Sequence, residues 1–349
     1  MSVDAANGNG SSGANEGAGE GSDAAKSLPA KLERIRSGRY SGGDFVIADA
    51  KDGDMAFGIT SPGPDGHGGW LPRAHHLESI RQMTRSGLID IMLMSVSTGE
   101  RLVGESLFEG TAVTPAVRLN DTTDIWCARG SRYRESASRP FASADPETAS
   151  ALCDLGLYSM TFHDDIDVDH ANLAAYRDFR LACREHPIRH FLEVFNPAFD
   201  IGLSGEELGH YVNDMIVKAT AGLVERDRPL FLKLQFNGPK SMRELAGYDP
   251  ENLIVGILGG SKGTTRDTFE LISQAEEAGA RVALFGRKIN LAEAPLELVR
   301  LMRETIEERL TPEAAVREYH HYLEAHRIEP ERDLAADLEV TEPALRSGT

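Results

Sequence analysis

Cysteine is scarce: Cys127, Cys153 and Cys183 are three in number, scattered, and outside any Cys-x-x-Cys spacing. Neither a disulfide framework nor a zinc knuckle is predicted, and a reducing cytoplasm fits. Positive charge is also in short supply. There are 37 Lys and Arg against 55 Asp and Glu, a formal net charge of −18, which argues against a nucleic-acid footprint or a basic membrane-binding surface. Missing too is any run of about 18 uncharged apolar residues, or an apolar core behind a basic N-terminus, so neither a membrane span nor a secretory leader is expected. What remains has globular proportions, 41% hydrophobic, 26% charged and 7% aromatic over 349 residues, enough for a sizeable core. With cations this few, a Lys or Arg inside a strand pattern marks a place where an anionic substrate would be handled.

The first 27 residues are almost entirely Gly, Ser, Ala, Asn and acid, too poor in apolar groups to offset their ordering entropy. They are expected to form a disordered tail, with a docking arm as the functional alternative. Residues 28–36 place apolar groups at helical spacing. Eight short apolar runs follow, at 45–49, 89–94, 116–120, 158–163, 190–195, 230–236, 253–258 and 282–285. Helical patterns are legible between them at 75–86, 171–185, 205–224, 264–278 and 295–310, with Gly279 placed to close a last turn in left-handed conformation. Strands alternating with helices imply parallel βαβ units, and eight units close a (β/α)8 TIM barrel, so the fold class is α/β with one domain over 28–326. The competing doubly wound open sheet lacks a GxGxxG after its first strand. Residues 121–149 form a long connection holding Trp126, Cys127 and Tyr133, and five arginines (Arg118, Arg129, Arg132, Arg134 and Arg139) stand at or just before it. A lid that selects a second anionic group and an intersubunit contact are both open readings. Residues 327–349 are acidic, short of core residues and expected to be a loose extension.

In a barrel the inward residues at the C-terminal strand ends make the active site. In the sixth run Leu232, Leu234 and Phe236 alternate with Lys233, Gln235 and Asn237, so the polar set is expected to face the lumen. Lys233 is either a strand-edge lysine snorkelling to water or a functional amine; its mid-strand place favours the amine. A desolvated lysine near a second cation becomes a free amine able to form a Schiff base with a carbonyl. Glu193, inside an apolar fifth run, needs a partner, and an ion pair or a proton shuttle would each supply one. Asp49 in the first run, and Arg118 with Asn120 in the third, are candidates for orienting hydroxyls or for a structural lumen network. Glycine-rich turns follow the last two runs, Gly259-Gly260-Ser261-Lys262-Gly263 and Gly286-Arg287-Lys288, in the two adjacent positions where this fold binds phosphate. The acidic run from His163 to His170 matches no EF-hand spacing and reads as a loop capping a helix through Asp167 or Asp169, with His163 the member expected to face substrate. His320 and His321 read as surface residues.

FLKLQFNG around Lys233, then ILGGSKGTTRDTFELISQAEEAGA, VALFGRKI and the trailing TPEAAVREYHHYLE together resemble the class I aldolase superfamily of (β/α)8 barrels. That superfamily includes archaeal-type fructose-bisphosphate, tagatose-bisphosphate and sulfofructose-phosphate aldolases, and the resemblance covers about the last 120 residues. It implies Lys233 as the Schiff-base lysine, Gly259, Gly260, Gly286 and Arg287 on the substrate phosphate, and Asp49 in the place of the family's first-strand aspartate. Glu193 resembles the fifth-strand acid of the tagatose and sulfofructose branch; the fifth run has no tyrosine in that role. Ser261, Arg118, His163 and Gln235 complete the expected substrate contacts. The implied protein is a metal-independent, cofactor-free lyase acting on a small phosphorylated ketose as a cytoplasmic homo-oligomer. A phosphosugar-binding barrel without catalysis, and an isomerase, epimerase or transaldolase on the same residues, are the alternatives, followed by a metal-dependent aldolase using His163 and the aspartates.

Overall fold

The computed structural model describes residues 25–121, 128–203 and 205–346. Most of the expected N-terminal tail, together with Trp126 and Cys127, lies outside the described residues. The tail's last residues do not behave as one. Lys26 Nζ donates to the carbonyls of Phe108 and Thr111 at 2.6 and 2.9 Å, and Ser27 opens helix α1 (Ser27–Arg36) with its hydroxyl on Asp90.

Eight strands, β1 (Val46–Lys51), β2 (Ile91–Ser95), β3 (Thr114–Arg118), β4 (Leu155–Thr161), β5 (Arg189–Phe195), β6 (Leu232–Leu234), β7 (Gly256–Leu258) and β8 (Val282–Phe285), pair in sequence order. All pairings are parallel and β8 returns to β1, giving the closed barrel that the eight apolar runs predict. Around and above it run α2 (Gly53–Phe57), α3 (Arg73–Ser86), α4 (Val96–Val103), α5 (Pro146–Ser150), α6 (Ile166–Arg184) and α7 (Gly205–Thr220). The second half adds α8 (Pro239–Tyr248), α9 (Thr265–Glu277), α10 (Arg287–Asn290), α11 (Pro295–Glu307) and α12 (Pro312–Ala325).

Period-two alternation sorts the strand residues into two cores. Val46, Ala48, Ile91, Leu93, Ala116, Leu157, Phe191, Phe231, Val282 and Leu284 fill the lumen, and Leu28, Leu32 and Ile35 of α1 join that cluster as a plug at the N-terminal end of the barrel. Ile47, Met92, Met94, Leu192, Val194, Leu232, Leu234, Ile257 and Phe285 face the surrounding helices. β6 and β7 are shorter than the apolar runs that announce them. At their crossing a Cβ on Gly256 would stand 2.5 Å from the Leu232 carbonyl oxygen and 2.8 Å from Val282 Cβ, so only glycine allows the strands to approach this closely.

Two expectations about the periphery are corrected. The acidic run caps α6 through Asp165, whose carboxylate accepts from the Asp167 and Val168 amides, because Asp165 is the last residue with extended backbone and therefore holds the cap position. The C-terminal segment is not loose. It forms α13 (Leu334–Asp337) and α14 (Pro343–Arg346), buries Leu345 completely, and covers His320, which pairs with Asp337 at 2.9 Å. Its few apolar residues suffice because fixed polar partners meet it: the Thr265 amide donates to Asp337, Asp267 of α9 accepts from the Thr341 and Glu342 amides, and Lys288 donates to Glu342, a complementarity that composition does not display.

Candidate active site

Parallel register brings Ser159 of β4, Glu193 of β5 and Lys233 of β6 side by side on one layer of the lumen. The flanking Leu232 and Leu234 are committed to the helix-facing core, which leaves Lys233 no direction except inward. Its Nζ lies 2.5 Å from Glu193 Oε1, and both side chains are almost wholly buried. The partner of the amine is thus an anion, where the sequence reading anticipated a second cation. Glu193 Oε2 accepts from the Ser159 hydroxyl at 2.7 Å and from Arg118 Nη2 at 2.9 Å.

Arg118, at the end of β3, is the hub. Its Nη1 donates to Ser159 Oγ at 2.9 Å and stands 3.4 Å from Asp121 Oδ1, and its Nε pairs with Asp52. A guanidinium has five donors in a rigid fork, so one buried arginine can hold several carboxylates in fixed relative positions. Burial by itself would push the Asp52 carboxyl up, but Arg118 and Lys233 outweigh it and hold Asp52 below the ordinary aspartate range. Asn120, on the same parity, spends its amide on the Ser159 backbone and serves to lock β4 in register.

Above this layer opens a cavity of about 530 Å³, lined among others by Asp52, Arg118, Glu193, Lys233 and Gln235. Gly259, Gly260, Ser261, Gly286 and Arg287 line it from the β7 and β8 turns. Gly260 has φ +66°, a left-handed turn that leaves the backbone free to approach a ligand, and Gly259 sits against the Phe285 ring with no room to spare. Arg287 is steadied by stacking over Phe57 of α2, its guanidinium 5.2 Å from the ring centroid. Arg134, from the long connection after β3, reaches the same cavity.

Two expected site residues are elsewhere. Asp49 does not line the cavity: its neighbours Ala48 and Ala50 pack with the lumen set, so pleat parity turns Asp49 outward between the barrel and its helices. The carboxylate that does reach the mouth from β1 is Asp52, three residues on. Asp49 is fully buried, its oxygens accept no hydrogen bond, and its nearest cation, Lys51 Nζ, is 3.5 Å away. Burial pushes its carboxyl up to about 6, against the pull of Lys51. His163 also misses the cavity. Its Nε2 accepts from the Ser138 amide at 3.1 Å and its ring stacks on Phe199, so it secures the long connection rather than a ligand. Burial lowers its affinity for a proton, which keeps Nε2 an acceptor.

Sequence reasoning passed over Asp52, Ser159, Lys51 and His76. His76 Nε2 meets the Lys51 carbonyl at 3.0 Å, and Lys51 Nζ donates to Asn290 Oδ1 at 2.8 Å; all three residues line the cavity on the side of the β8 turn. The Asp-Gly pair that opens α2 was the available signal for Asp52, since a polar residue just past a strand end lies at the barrel mouth.

No protein-family model matches the sequence, and no curated protein matches it. Solved structures do. An archaeal fructose 1,6-bisphosphate aldolase superposes with a TM-score of 0.58 at 16% identity, covering 80% of this chain and 99% of that one. A fructose-bisphosphate aldolase from Slackia heliotrinireducens gives 0.60 at 12%, covering 84% and 90%. An archaeal fructose-1,6-bisphosphate aldolase with its catalytic lysine bound to the carbinolamine intermediate of the substrate gives 0.57 at 17%, covering 80% and 99%. These neighbours come from the superfamily that the motifs resemble. At this identity what is shared is the fold.

Proposed function

We propose that the protein is a class I aldolase that cleaves or forms a C–C bond in a phosphorylated ketose through a Schiff base on Lys233. The observation that carries the reading is the buried Lys233 amine held 2.5 Å from Glu193 in a cavity that is also lined by two glycine turns and Arg287. Glu193 takes a proton from Lys233 as the amine adds to the substrate ketone, and returns it to the carbinolamine oxygen as water leaves. The resulting iminium accepts the electron pair of the adjacent C–C bond. A carboxylate, Glu193 once it is free again, removes the proton of the hydroxyl beyond that bond, so an aldehyde departs and an enamine remains on Lys233. Protonation of the enamine carbon and hydrolysis by water return the ketone and the amine.

Asp52 takes over the part expected of Asp49, orienting substrate hydroxyls at the mouth of β1, with Arg118 fixing Asp52 and Glu193 relative to each other. Gly259, Gly260, Ser261, Gly286 and Arg287 hold the phosphate, so binding energy remote from the reacting bond sets its position. Gln235 follows Lys233 on the same face and reaches the substrate beside it.

Borohydride reduction in the presence of dihydroxyacetone phosphate, followed by peptide mass spectrometry, tests the reading. A stable adduct on the Lys233 peptide, absent in Lys233→Met, is expected. Absence of adduct in a wild-type protein that binds the phosphosugar would sink it and leave a binding barrel or a non-imine enzyme.

A further inference from the structure

The turn between β7 and α9 has a front and a back. Gly259, Gly260 and Ser261 face the cavity, while Lys262 turns away to pair with Glu331, with Glu293 at 3.9 Å. Gly260 and Gly263 both have positive φ, and a capping box between Thr264 and Asp267 closes the turn onto α9. The C-terminal segment fixes it from behind. Thr264 Oγ1 donates to the Glu339 carbonyl at 2.8 Å, the Thr265 amide to Asp337 Oδ1 at 2.7 Å, and the Thr341 and Glu342 amides to Asp267 Oδ1 at 2.7 and 3.2 Å.

The β8 turn is tied into the same arrangement. Lys288 follows Arg287 directly, yet its side chain is buried and points away from the cavity. Its Nζ donates to the Lys262 carbonyl at 3.2 Å and to Glu342 Oε1 at 3.0 Å. Glu342 Oε1 also lies 3.3 Å from where a Cβ of Gly263 would stand. One ammonium thus joins both turns, and one carboxylate from the C-terminal segment holds that ammonium. Besides Glu342, the segment is anchored by Leu345 in the core, by Gln274 Nε2 on the Leu345 carbonyl, and by the bonds of Asp267 and Asp337, none of which uses the Glu342 carboxylate.

We infer that Glu342 is a positioning residue for the substrate phosphate: through Lys288 it sets the spacing of the β7 and β8 turns, and the C-terminal segment belongs to the binding machinery although none of it lines the cavity. This rests on the phosphate part of the function proposed above. Removing the Glu342 carboxylate leaves a buried ammonium with a single carbonyl partner, and the cheapest relief is for the two turns to move apart toward water.

The test uses the full chain, calorimetric titration with inorganic phosphate, and borohydride trapping with dihydroxyacetone phosphate beside unphosphorylated dihydroxyacetone. Glu342→Ala is expected to weaken phosphate roughly tenfold, and Glu342→Gln, which still accepts from Lys288, roughly threefold. Half-saturation for trapping should rise in step with the phosphorylated ketone and stay unchanged with the unphosphorylated one. A purely structural role would lower the urea midpoint and leave that contrast untouched. If Glu342→Ala does not fold, the glutamine variant carries the test. Equal phosphate affinity in wild type and variants, equal weakening of both ketones, or no phosphate binding by the wild type would each overturn the inference. Phosphate binding that the variants lose, in a protein that never forms an adduct, would uphold it while removing the lyase reading; an adduct with unchanged phosphate affinity would do the reverse.

Discussion

Replacing Asp49 by asparagine should change the way stability depends on pH. The carboxyl is wholly buried, accepts no hydrogen bond, and has its pKa displaced from 3.8 to about 6 by burial, with Lys51 pulling the other way and Asp52 adding to the rise. A folded-state pKa above the unfolded one means that the native chain binds the proton more tightly. The stabilisation is present in full below about pH 4 and is lost as pH rises through about 6. A displacement of about two pH units, at about 1.4 kcal/mol each, amounts to about 3 kcal/mol. No discount for solvent applies to a side chain with no exposure. Asparagine carries no proton to lose, so the stability of Asp49→Asn relative to wild type should grow by about 3 kcal/mol between pH 4 and pH 7. Urea unfolding of both chains across that window measures it. Carboxylates held low in the native state, such as Asp52, Asp90 and Asp267, impose an opposite trend on each chain and cancel in the difference. A difference that stays flat with pH would refute the reasoning, since it would mean that Lys51 at 3.5 Å, or solvent, fully offsets the burial of Asp49.

Two further outcomes follow from the charge layer. Arg118→Met leaves Asp52 and Glu193 buried without the cation that joins them and should cost roughly 3–5 kcal/mol in urea unfolding at neutral pH; the loss should shrink as pH falls and the carboxylates protonate, and a cost below about 1 kcal/mol would show that Lys233 alone balances them. Glu193→Gln keeps shape and hydrogen-bond acceptance but not proton transfer, so the rate of imine formation should fall about a hundredfold or more while phosphate affinity holds; a parallel loss of both would make Glu193 a structural counter-ion only.

How much of this was legible depends on whether the signal is local. Eight apolar runs and their spacing are local, and β8 spans the residues that its run predicts. Lys233 was legible because Leu232 and Leu234 on either side dictate its face. Glu193 was legible as a charge that needed a partner, but the partner itself comes from strand register, which no single run encodes. Asp49 shows the converse error. It lies in an apolar strand much as Glu193 does, and chemistry alone favours placing an acid at the site; the parity of Ala48 and Ala50, too small to declare a face, decides otherwise. Where the flanking residues are leucines the pleat can be read, and where they are alanines it cannot.

The same distinction accounts for the C-terminal segment. Judged by hydrophobic content, residues 327–349 cannot order themselves. They are ordered from 327 to 346 by single polar atoms meeting across the chain: Asp267 bonded by residues 341 and 342, Asp337 by residues 265 and 320, and Lys288 by residue 342. Each partner is far away in sequence, so each bond is invisible to a window that slides along the chain. Most of them stand near the turns after β7 and β8, at the start of α9 and α10, and His320 adds one from α12. The segment packs on the helices through α13 on α12 and α14 on α9, and it sends two acids further, Glu331 to Lys262 and Glu342 to Lys288, so that the same stretch that covers α9 and α12 also reaches the back of both glycine turns.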